Sequence, residues 1–288
     1  MSTAVSAAIK TPRAKTPYAS RTRWDLTALA FLVAFIMFFP ILWMMMTGFK
    51  TEEQAISIPP LAFFTPTLES LNEAFTRSNY GRHMLNSIIS AIGSTILALV
   101  LAVPAAYALA FYPTKRSNST LLWILSTKMM PPVGVVIPIY LIYRDLKWLD
   151  NIFALMLMYT IMNLPVVIWT LFAYFKELPG EIFEAARVDG ASTWQELTVL
   201  LLPLSTPAIA SSALLAVIFA WNEAFWGLNL TSSQAAPLGV YVSSFKTAQG
   251  LFWAQMSAAS SLAILPIMVL GWIAQRQLVR GLTLGAVK

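Results

Sequence analysis

Six apolar runs, each long enough to cross a membrane, constrain what this chain can fold into. They carry at most two charged side chains apiece and lie at about 26–48, 84–112, 120–143, 152–175, 206–228 and 261–280. An α-helix of about 20 residues spans the roughly 30 Å hydrocarbon core of a bilayer. Because lipid offers the backbone no hydrogen-bond partners, such spans fold as helices. The runs therefore predict an all-α polytopic membrane protein with six transmembrane helices.

The composition agrees with a membrane protein and excludes several kinds of chemistry. Charged residues make up 11% of the chain, less than half of the roughly 25% typical of soluble domains. The absence of cysteine and the single histidine, His83, exclude thiolate chemistry and essentially any Cys/His metal cluster. No glycine precedes a lysine, so the chain has no phosphate-binding loop. We expect no catalytic residues, metal or cofactor in this chain, and therefore no enzyme.

The distribution of basic residues predicts the orientation. Residues 1–23 hold five Lys and Arg and no acid, which indicates a flexible cytoplasmic tail, although a mitochondrial transit peptide shares this composition. With the N-terminus inside, twelve Lys and Arg fall on inside segments and six on outside segments. This excess agrees with the positive-inside rule, so both termini are expected in the cytoplasm.

Two longer segments are expected outside. Residues 49–82 mix acids, prolines and aromatics, which is typical of an interfacial loop with a short helix. Residues 229–260 are rich in Ser, Ala, Gly and Gln and are expected to fold partly back into the cavity as a re-entrant element.

A polar insert at about 176–205 interrupts the apolar pattern between the fourth and fifth runs. Pro179 lies where a helix would begin, a position that tolerates its missing N–H. Glu184 follows in the first turns, where a carboxylate favours the positive end of the helix. The helix is expected to end at Asp189-Gly190, because glycine is the usual left-handed terminator.

A second helix is predicted after this turn. Ser192 and Gln195 have the spacing of a capping box, and Pro203 is expected to end the helix. Small residues would let the turn approach another backbone closely, which suits docking in a groove of a partner. The alternatives are an amphipathic helix pair resting on lipid and a helix-turn-helix reader of DNA, which the lack of a basic recognition face disfavours. No nucleic-acid partner is expected.

The spacing within the insert resembles a known motif. Glu184-Ala185-Ala186 is followed by Gly190, then by Leu200 and by Leu202-Pro203. This is similar to the "EAA…G…I-LP" motif of permease subunits in binding-protein-dependent ABC importers, with Leu200 in place of the usual Ile. The resemblance implies that residues 24–288 form the transmembrane domain of such an importer.

Four further stretches resemble the carbohydrate branch of that family, which is related to the second maltose permease subunit. They are "LNSIIS" at 85–90, "MMPPVGVVIPIYLIYRDLKWLDN" at 129–151, "FAWNEAFWGLNLT" at 219–231 and "RGLTLGAVK" at 280–288. The form "TKMMPPVGV" is most similar to sugar-alcohol permeases. The resemblance implies a permease subunit for a sugar, sugar alcohol or sugar derivative in a bacterial inner membrane.

The resemblance also implies partners and a role for the insert. In that family the insert is a coupling helix that docks in a cleft of the ATP-binding subunit. The contact would be made by Glu184, Ala185, Ala186, Asp189 and Gly190, and a C-terminal tail contact by Arg280, Gly281 and Gly285. The complex would also contain a second, different permease subunit, two ATP-binding subunits that hold ATP and Mg, and an extracytoplasmic solute-binding protein.

Polar groups inside the spans are candidates for a substrate pathway, because they are costly in lipid. The candidates are Lys128, Met129 and Pro131 in the third span, Asn222, Glu223 and Trp226 in the fifth, and Asn86 and Asn163 as weaker ones that suit interhelical hydrogen bonding. The prolines after Lys128 predict a broken helix lining a cavity, or alternatively a kinked helix with Lys128 snorkelling to the surface. Asn222 and Glu223 lie beside aromatic rings, which suits a sugar, or alternatively an aromatic belt with hydrogen bonds between helices.

Two other function classes remain compatible with these residues. In an ion-coupled secondary transporter of a polar solute, Lys128 and Glu223 would couple ions to substrate. The lack of a convincing inverted repeat counts mildly against that class. A membrane scaffold without a pathway is the other alternative.

Overall fold

The computed structural model describes residues 24–77, 79–247 and 250–283, which are mostly helical. The helices, in chain order, are α1 (Trp24–Thr47), α2 (Glu52–Ala55), α3 (Glu69–Thr76), α4 (Tyr80–Phe111), α5 (Ser117–Thr127), α6 (Pro132–Asp145), α7 (Ile152–Phe175), α8 (Gly180–Val188), α9 (Thr193–Gln195), α10 (Leu202–Leu204), α11 (Thr206–Trp221), α12 (Phe225–Leu230), α13 (Leu238–Ser243) and α14 (Trp253–Thr283). A π-helical segment (Glu196–Leu201) joins α9 to α10, and the strands β1 (Lys246–Thr247) and β2 (Gly250–Leu251) pair antiparallel. The predicted all-α fold class is confirmed.

The chain divides between residues 43 and 44 into two compact units. In the first unit, the helix carries Phe35, Phe39 and Trp43 at successive four-residue spacings. The ring centroids of Phe35 and Phe39 lie 6.3 Å apart, and those of Phe39 and Trp43 lie 6.1 Å apart. The predicted N-terminal tail, residues 1–23, lies outside the described residues.

Within the described ranges, four helices are long and apolar enough to cross a membrane by themselves, namely α1, α4, α7 and α14. Two bent pairs qualify only when both members are taken together. They are α5 with α6, bent by 86°, and the run from α9 to α10 with α11, bent by 78°. Counting each pair as one crossing gives the six predicted spans.

Helices α4 and α7 run side by side in the same direction. Ala91, near the start of α4, shares an apolar cluster with Leu155 and Tyr159 near the start of α7. Tyr107 and Phe175, near the two ends, share another cluster. The chain must therefore return across the same thickness between them, and α5 with α6 makes that return. We call the end with Tyr107 the insert end and the opposite one the far end.

Small residues let α4 and α7 approach each other closely. Ala98, Ala102 and Ala106 on α4 are fully buried. A Cβ at Gly93 would lie 2.2 Å from the Met156 methyl carbon, so the Met156 side chain packs directly over the glycine and would have to move to admit a larger residue. Such close contact is how membrane helices gain packing energy, and it makes α4 with α7 the centre of the second unit.

Two predicted span boundaries are wrong. The fifth crossing ends at Trp221 rather than near 228, where the chain breaks before α12. The last helix begins at Trp253 rather than at 261, because the Glu52 carboxylate accepts the N–H groups of Ala254 and Gln255 at 3.1 and 2.9 Å. A helix start stabilised by a side chain so distant in sequence has no local signal.

The two far-end segments are partly as predicted. Residues 49–82 contain the short helices α2 and α3, in agreement with an expected short helix. In the segment 229–260, α13 packs Leu238 and Tyr241 against Tyr80 at the start of α4. Contacts with this end of α4 position α13, and the expected return of the segment into the cavity stays a prediction.

Candidate functional site

The insert begins with a helix and a tight turn. Helix α8 follows Pro179 and ends at Val188, with Asp189 as its C-cap. Gly190 then adopts φ +85°, in the left-handed region, and the Ala191 N–H donates to the Ala186 carbonyl at 2.9 Å. The first predicted helix of the insert and its glycine terminator are therefore present.

The second half of the insert is helical for longer than predicted. The Gln195 N–H donates to Ser192 Oγ at 3.3 Å and the Ser192 N–H donates to the Gln195 side chain at 2.8 Å, which completes the predicted capping box. Pro203 does not end the run, which continues to Leu204 and bends at Ser205. Proline lacks an N–H and crowds the carbonyl four residues earlier, and the π-helical turn immediately before it accommodates this defect.

Helix α8 has a buried face and an exposed face. Phe183 is 1% exposed, and its ring centroid lies 4.2 Å from that of Phe111 and 6.4 Å from that of Tyr107. The predicted coupling residues lie on the other side: Glu184, Ala185, Asp189 and Gly190 are exposed and Ala186 is half-buried. The buried face anchors the helix to α4 and leaves the small-residue face accessible.

An ion pair that the sequence analysis missed ties the two halves of the insert to α4. Arg187 Nε and Nη2 donate to Glu196 Oε1 and Oε2 at 2.9 and 3.0 Å, and the Tyr107 hydroxyl donates to Oε2 at 2.5 Å. The Arg187 guanidinium also lies 4.7 Å from the centroid of the Tyr112 ring. We call Arg187, Glu196 and Tyr107 the insert brace.

The insert brace explains how the Glu196 carboxylate can be only 1% exposed. The hydrogen bond from Arg187 lowers the pKa of Glu196 against the opposing effect of burial, and the hydrogen bond from Tyr107 adds to this, so the carboxylate stays charged. The Arg187 side chain is 37% exposed and Glu196 is buried, so removing Arg187 would leave a buried carboxylate without its counter-charge, which costs more than the pair itself contributes. The separation of nine residues crosses the turn and matches no helical spacing, so periodicity could not indicate the pair.

Lys128 lies at the break between α5 and α6, beside a cavity of about 230 Å³. Its Nζ donates to the Met162 carbonyl at 2.9 Å and lies 5.7 Å from the centroid of the Phe219 ring. The other polar residues that line the cavity are Tyr159, Asn163, Asn222 and Glu223. The fold therefore brings four of the predicted pathway residues, Lys128, Asn163, Asn222 and Glu223, to one cavity.

A second cavity of about 130 Å³ shares Lys128 and Met162 with the first. Its walls are mainly apolar and include Met130, Met158 and Trp226. The polar and apolar cavities together present hydrogen-bonding groups on one side and methionine and aromatic surfaces on the other. This combination suits the hydroxyl-rich edge and the C–H face of a sugar ring.

Asn222 and Glu223 occupy the break between α11 and α12. The Asn222 side-chain amide donates to the Ile218 carbonyl at 2.8 Å, and Glu223 Oε1 accepts from the Trp226 N–H at 3.1 Å. The Tyr159 hydroxyl donates to the Glu223 carbonyl oxygen at 2.8 Å and so holds α7 against this break. The same groups that line the cavity thus also end one helix and start the next.

Asn163 lines the same cavity and also joins two helices, whereas Asn86, Met129 and Pro131 occupy different surroundings. The Asn163 amide donates to the Ala216 carbonyl at 3.3 Å and joins α7 to α11. Asn86 lies at the far end, where its amide donates to the carbonyls of Gln234 and Ala236 at 2.9 and 3.1 Å. Met129 is 83% exposed, and Pro131 precedes the first residue of α6.

Asp150, which the sequence analysis did not single out, organises the far end. Its carboxylate accepts the backbone N–H groups of residues 232–235 at 2.9–3.2 Å. Burial raises the pKa of Asp150, but these N–H donors outweigh burial and hold the pKa well below the ordinary 3.8. We call Asp150 and residues 232–235 the far-end clasp. Asp150 has φ +56°, a conformation that aspartate tolerates better than most residues.

The predicted tail contact falls at the edge of the described chain. Arg280 and Gly281 belong to α14, and Gly285 lies outside the described residues. The contact therefore stays a prediction. Across residues 24–77, 79–247 and 250–283, no three His, Cys, Asp or Glu side chains are grouped to hold a metal ion.

The chain matches a known protein family. Residues 99–284 match the family described as the inner membrane component of binding-protein-dependent transport systems. The matched range includes the insert, both bent helix pairs and the residues that line the cavity.

Individual relatives match over most of their length. The diacetylchitobiose uptake system permease DasC of Streptomyces coelicolor is 34% identical over 266 residues, 92% of this chain and 96% of that protein. The trehalose/maltose transport system permease MalG of Thermococcus litoralis is 32% identical over 265 residues, 90% of this chain and 94% of that protein. A chain in the crystal structure of a bacterial ABC transporter involved in import of the acidic polysaccharide alginate has a TM-score of 0.72 at 23% identity, covering 91% of this chain and 99% of that one. This last likeness shows a shared fold.

Proposed function

The chain belongs to the family of inner membrane components of binding-protein-dependent transport systems, and on that premise we propose that it carries a sugar, sugar alcohol or sugar derivative in an ATP-driven importer. Relatives named for diacetylchitobiose and for trehalose/maltose align over at least 90% of it, which supports a carbohydrate substrate. The pair of cavities at Lys128 supports the same class, because it combines hydrogen-bonding groups with apolar surface.

The proposed complex pairs this subunit with a second, different permease subunit. Two ATP-binding subunits hold ATP and Mg and dock at the insert, and an extracytoplasmic solute-binding protein delivers substrate at the far end. Both termini and the insert lie in the cytoplasm. The excess of basic residues on the inside segments, twelve against six, supports this orientation.

The observation that carries the proposal is the geometry of α8. Its largest apolar side chain, Phe183, is buried within the protein, while carboxylates and alanines remain on the exposed side. Ile182 and Val188 are also exposed, at 39% and 88%. A helix that only rested on lipid would turn its apolar face to the membrane. An exposed face of small residues beside a left-handed turn instead suits close docking in a groove of a protein partner.

In the proposed cycle, closure of the ATP-binding subunits moves the coupling helices together and opens the cavity outward. The loaded binding protein then releases its substrate into the cavity, and hydrolysis resets the cavity to face inward. Lys128, Asn222 and Glu223 would donate to and accept from substrate hydroxyls, and the Phe219 ring would pack on a C–H face.

Uptake into proteoliposomes that contain the whole complex tests this function. Transport that survives collapse of the proton gradient and stops when ATP is withdrawn supports the importer. The opposite dependence would favour an ion-coupled secondary transporter that uses Lys128 and Glu223. A complex without substrate-stimulated ATPase activity would favour a scaffold without a pathway.

Substitution of Asn222 tests the pathway itself. Asn222→Ala is expected to raise the KM for uptake while the ATPase stimulation by loaded binding protein persists. Asn229→Ala is the matched control, because the Asn229 amide donates within its own helix to the Phe225 carbonyl at 2.7 Å. Equal effects of the two substitutions would remove Asn222 from the pathway.

A further inference from the structure

We propose that the insert brace makes α4 the crossing that moves together with the insert when the ATP-binding subunits close. This inference rests on the proposed function, because it names the route by which work done at the insert enters the membrane. Arg187, Glu196 and Tyr107 act here as positioning residues, since their side chains hold one another rather than substrate.

The polar part of the junction passes through a single carboxylate. Glu196 accepts two hydrogen bonds from the Arg187 guanidinium and one from the Tyr107 hydroxyl. The paired bonds from arginine fix the angle between the groups as well as their distance. Because Glu196 is 1% exposed, little water can replace these bonds when the insert is loaded. Helix α8, the π-helical turn and α4 are therefore joined at one buried point.

Aromatic contacts reinforce the junction at the last turns of α4. The Phe183 and Phe111 rings lie 4.2 Å apart between centroids, and the Arg187 guanidinium lies 4.7 Å from the Tyr112 ring centroid. The end of α4 thus meets the insert by an ion-paired hydrogen bond, a ring contact and a cation–π contact. Three contacts of different kinds thus connect the insert to the end of α4.

The covalent neighbours of the insert join it through a turn and a bend, and Leu171 and Phe175 of α7 also share a buried apolar cluster with Phe183 and Leu201, but without an ion pair. Helix α7 ends at Phe175 and reaches α8 through the turn at 176–179. Helix α11 follows a bend of 78° at Ser205. A turn and a bend allow adjoining helices to change direction relative to each other. Chain connection alone therefore does not force α7 or α11 to follow the insert.

Movement of α4 would reach the cavity through α7. The buried alanines of α4 and the contact of Gly93 with Met156 interlock the two helices. Helix α7 carries Met162 and Asn163, which line the cavity beside Lys128. The proposed route thus runs from the insert to α4, then to α7, and ends at the cavity.

Distances between spin labels test the route directly. The chain contains no cysteine, so label pairs can be placed without removing native thiols. The labels are attached at Val199→Cys in the insert, Leu101→Cys in α4 and Ile142→Cys in α6. The native side chains at these positions are 65%, 52% and 55% exposed, respectively. On addition of ATP to the whole complex in lipid nanodiscs, the distance from 199 to 101 is expected to stay constant while the distance from 199 to 142 changes.

The outcomes separate this inference from the proposed function. In complexes that also carry Glu196→Gln or Tyr107→Phe, both distances are expected to change. If the distance from 199 to 101 changes as much as that from 199 to 142 without these substitutions, the proposed role of α4 is wrong. If neither distance responds to ATP while uptake remains ATP-dependent, the proposed role of α4 is wrong and the importer function stands; loss of ATP dependence in the uptake assay would overturn the importer function itself.

The number of substrate molecules moved per ATP hydrolysed gives a second, independent measurement. Tyr107→Phe keeps the ring and removes only the hydroxyl, and it is expected to lower this ratio at least about fivefold, within the usual range of coupling between sites. Basal ATPase activity is expected to stay within about twofold, because the ATPase lies on other subunits. A brace with only a structural role would lower transport and hydrolysis together and leave the ratio unchanged, which would overturn the inference.

Tyr174→Phe is the matched control for the alternative route through α7. The Tyr174 hydroxyl donates to the Leu204 carbonyl at 3.4 Å and links α7 to the end of the insert. Removal of the Tyr174 hydroxyl is expected to leave the number of substrate molecules moved per ATP hydrolysed unchanged. A loss equal to that of Tyr107→Phe would show that α7 receives the movement directly. Arg187→Lys keeps the charge but not the paired hydrogen bonds, and it is expected to give an intermediate ratio.

Discussion

Asp150 accepts a hydrogen bond of 2.9 Å from the backbone N–H of Ala235, 85 residues later in the chain. The same carboxylate accepts the N–H groups of residues 232–234. From α4, Asn86 binds the carbonyls of Gln234 and Ala236. The turn between α12 and α13 is therefore held by one side chain from the loop before α7 and by another from the start of α4.

Removal of the Asp150 carboxylate is expected to free this turn. Hydrogen bonds to a charged acceptor contribute about 1.5–3 kcal/mol each, so Asp150→Ala should speed hydrogen exchange at residues 232–235 by at least about tenfold. Asp145→Ala is the matched control, since Asp145 is exposed and pairs with its neighbour Arg144 at 2.8 Å. Unchanged exchange in Asp150→Ala would contradict the clasp.

The far-end clasp is expected to withstand moderate acid. Because the pKa of Asp150 is held below its ordinary value of 3.8, its stabilisation is fully present above that value and is lost as pH falls through the lower folded pKa. Exchange protection at 232–235, corrected for the intrinsic rate, should stay constant from about pH 7 to about pH 5 and decline below about pH 4. Asp150→Asn should abolish this dependence, and a decline already near neutral pH would count against the assignment.

A substitution of Gly190 can test docking to the partner without introducing backbone strain. A Cβ at this position would have no heavy atom within 4 Å, so substitution meets no clash within the chain. Asparagine tolerates the φ of +85° at this position better than most residues. Gly190→Asn should therefore leave membrane insertion and thermal stability nearly unchanged. Transport should nevertheless fall by about tenfold, or about 1.4 kcal/mol of coupling, because the added side chain enters the docking surface. Full transport by this variant would show that Gly190 does not belong to the docking surface.

Phe183 anchors the insert, and its truncation is expected to loosen α8. Phe183→Ala removes a ring that is 1% exposed, a change that costs about 3–5 kcal/mol in a packed core. Limited proteolysis should then cut within residues 176–205 at lower protease concentration. Ile182→Ala, at a side chain that is 39% exposed, provides the comparison and should leave the cutting pattern close to the original.

The local features of the insert could be predicted because each depends on residues close together in the chain. Gly190 ends α8 through its own backbone freedom, and the hydrogen bonds between Ser192 and Gln195 form within one turn. The partners of Glu196 could not be predicted. Its burial depends on Tyr107, 89 residues away, and nothing near Glu196 in sequence distinguishes it from an exposed glutamate. The prediction that Pro203 ends the second helix was wrong, because a π-helical turn immediately before it lets the helical run continue.

For the candidate pathway residues, too, the local break in the helix could be predicted, but the contacts between distant residues could not. The prolines after Lys128 indicated a broken helix, and the break is present with an 86° bend. Which polar residues meet at that break depended on how α7 and α11 pack, and this brings Asn163 to the cavity while Asn86 lies at the far end.

The sequence by itself determined the six apolar crossings, the position of the insert and the limits of its first helix. These follow from hydropathy, run length and capping chemistry, which act over one helix at most. The tertiary structure decided which helices lie parallel, which carboxylates are buried and what they bind. Those outcomes depend on contacts between residues far apart in the chain, such as Asp150 with Ala235 and Glu196 with Tyr107, whose energies arise only once the crossings have packed together.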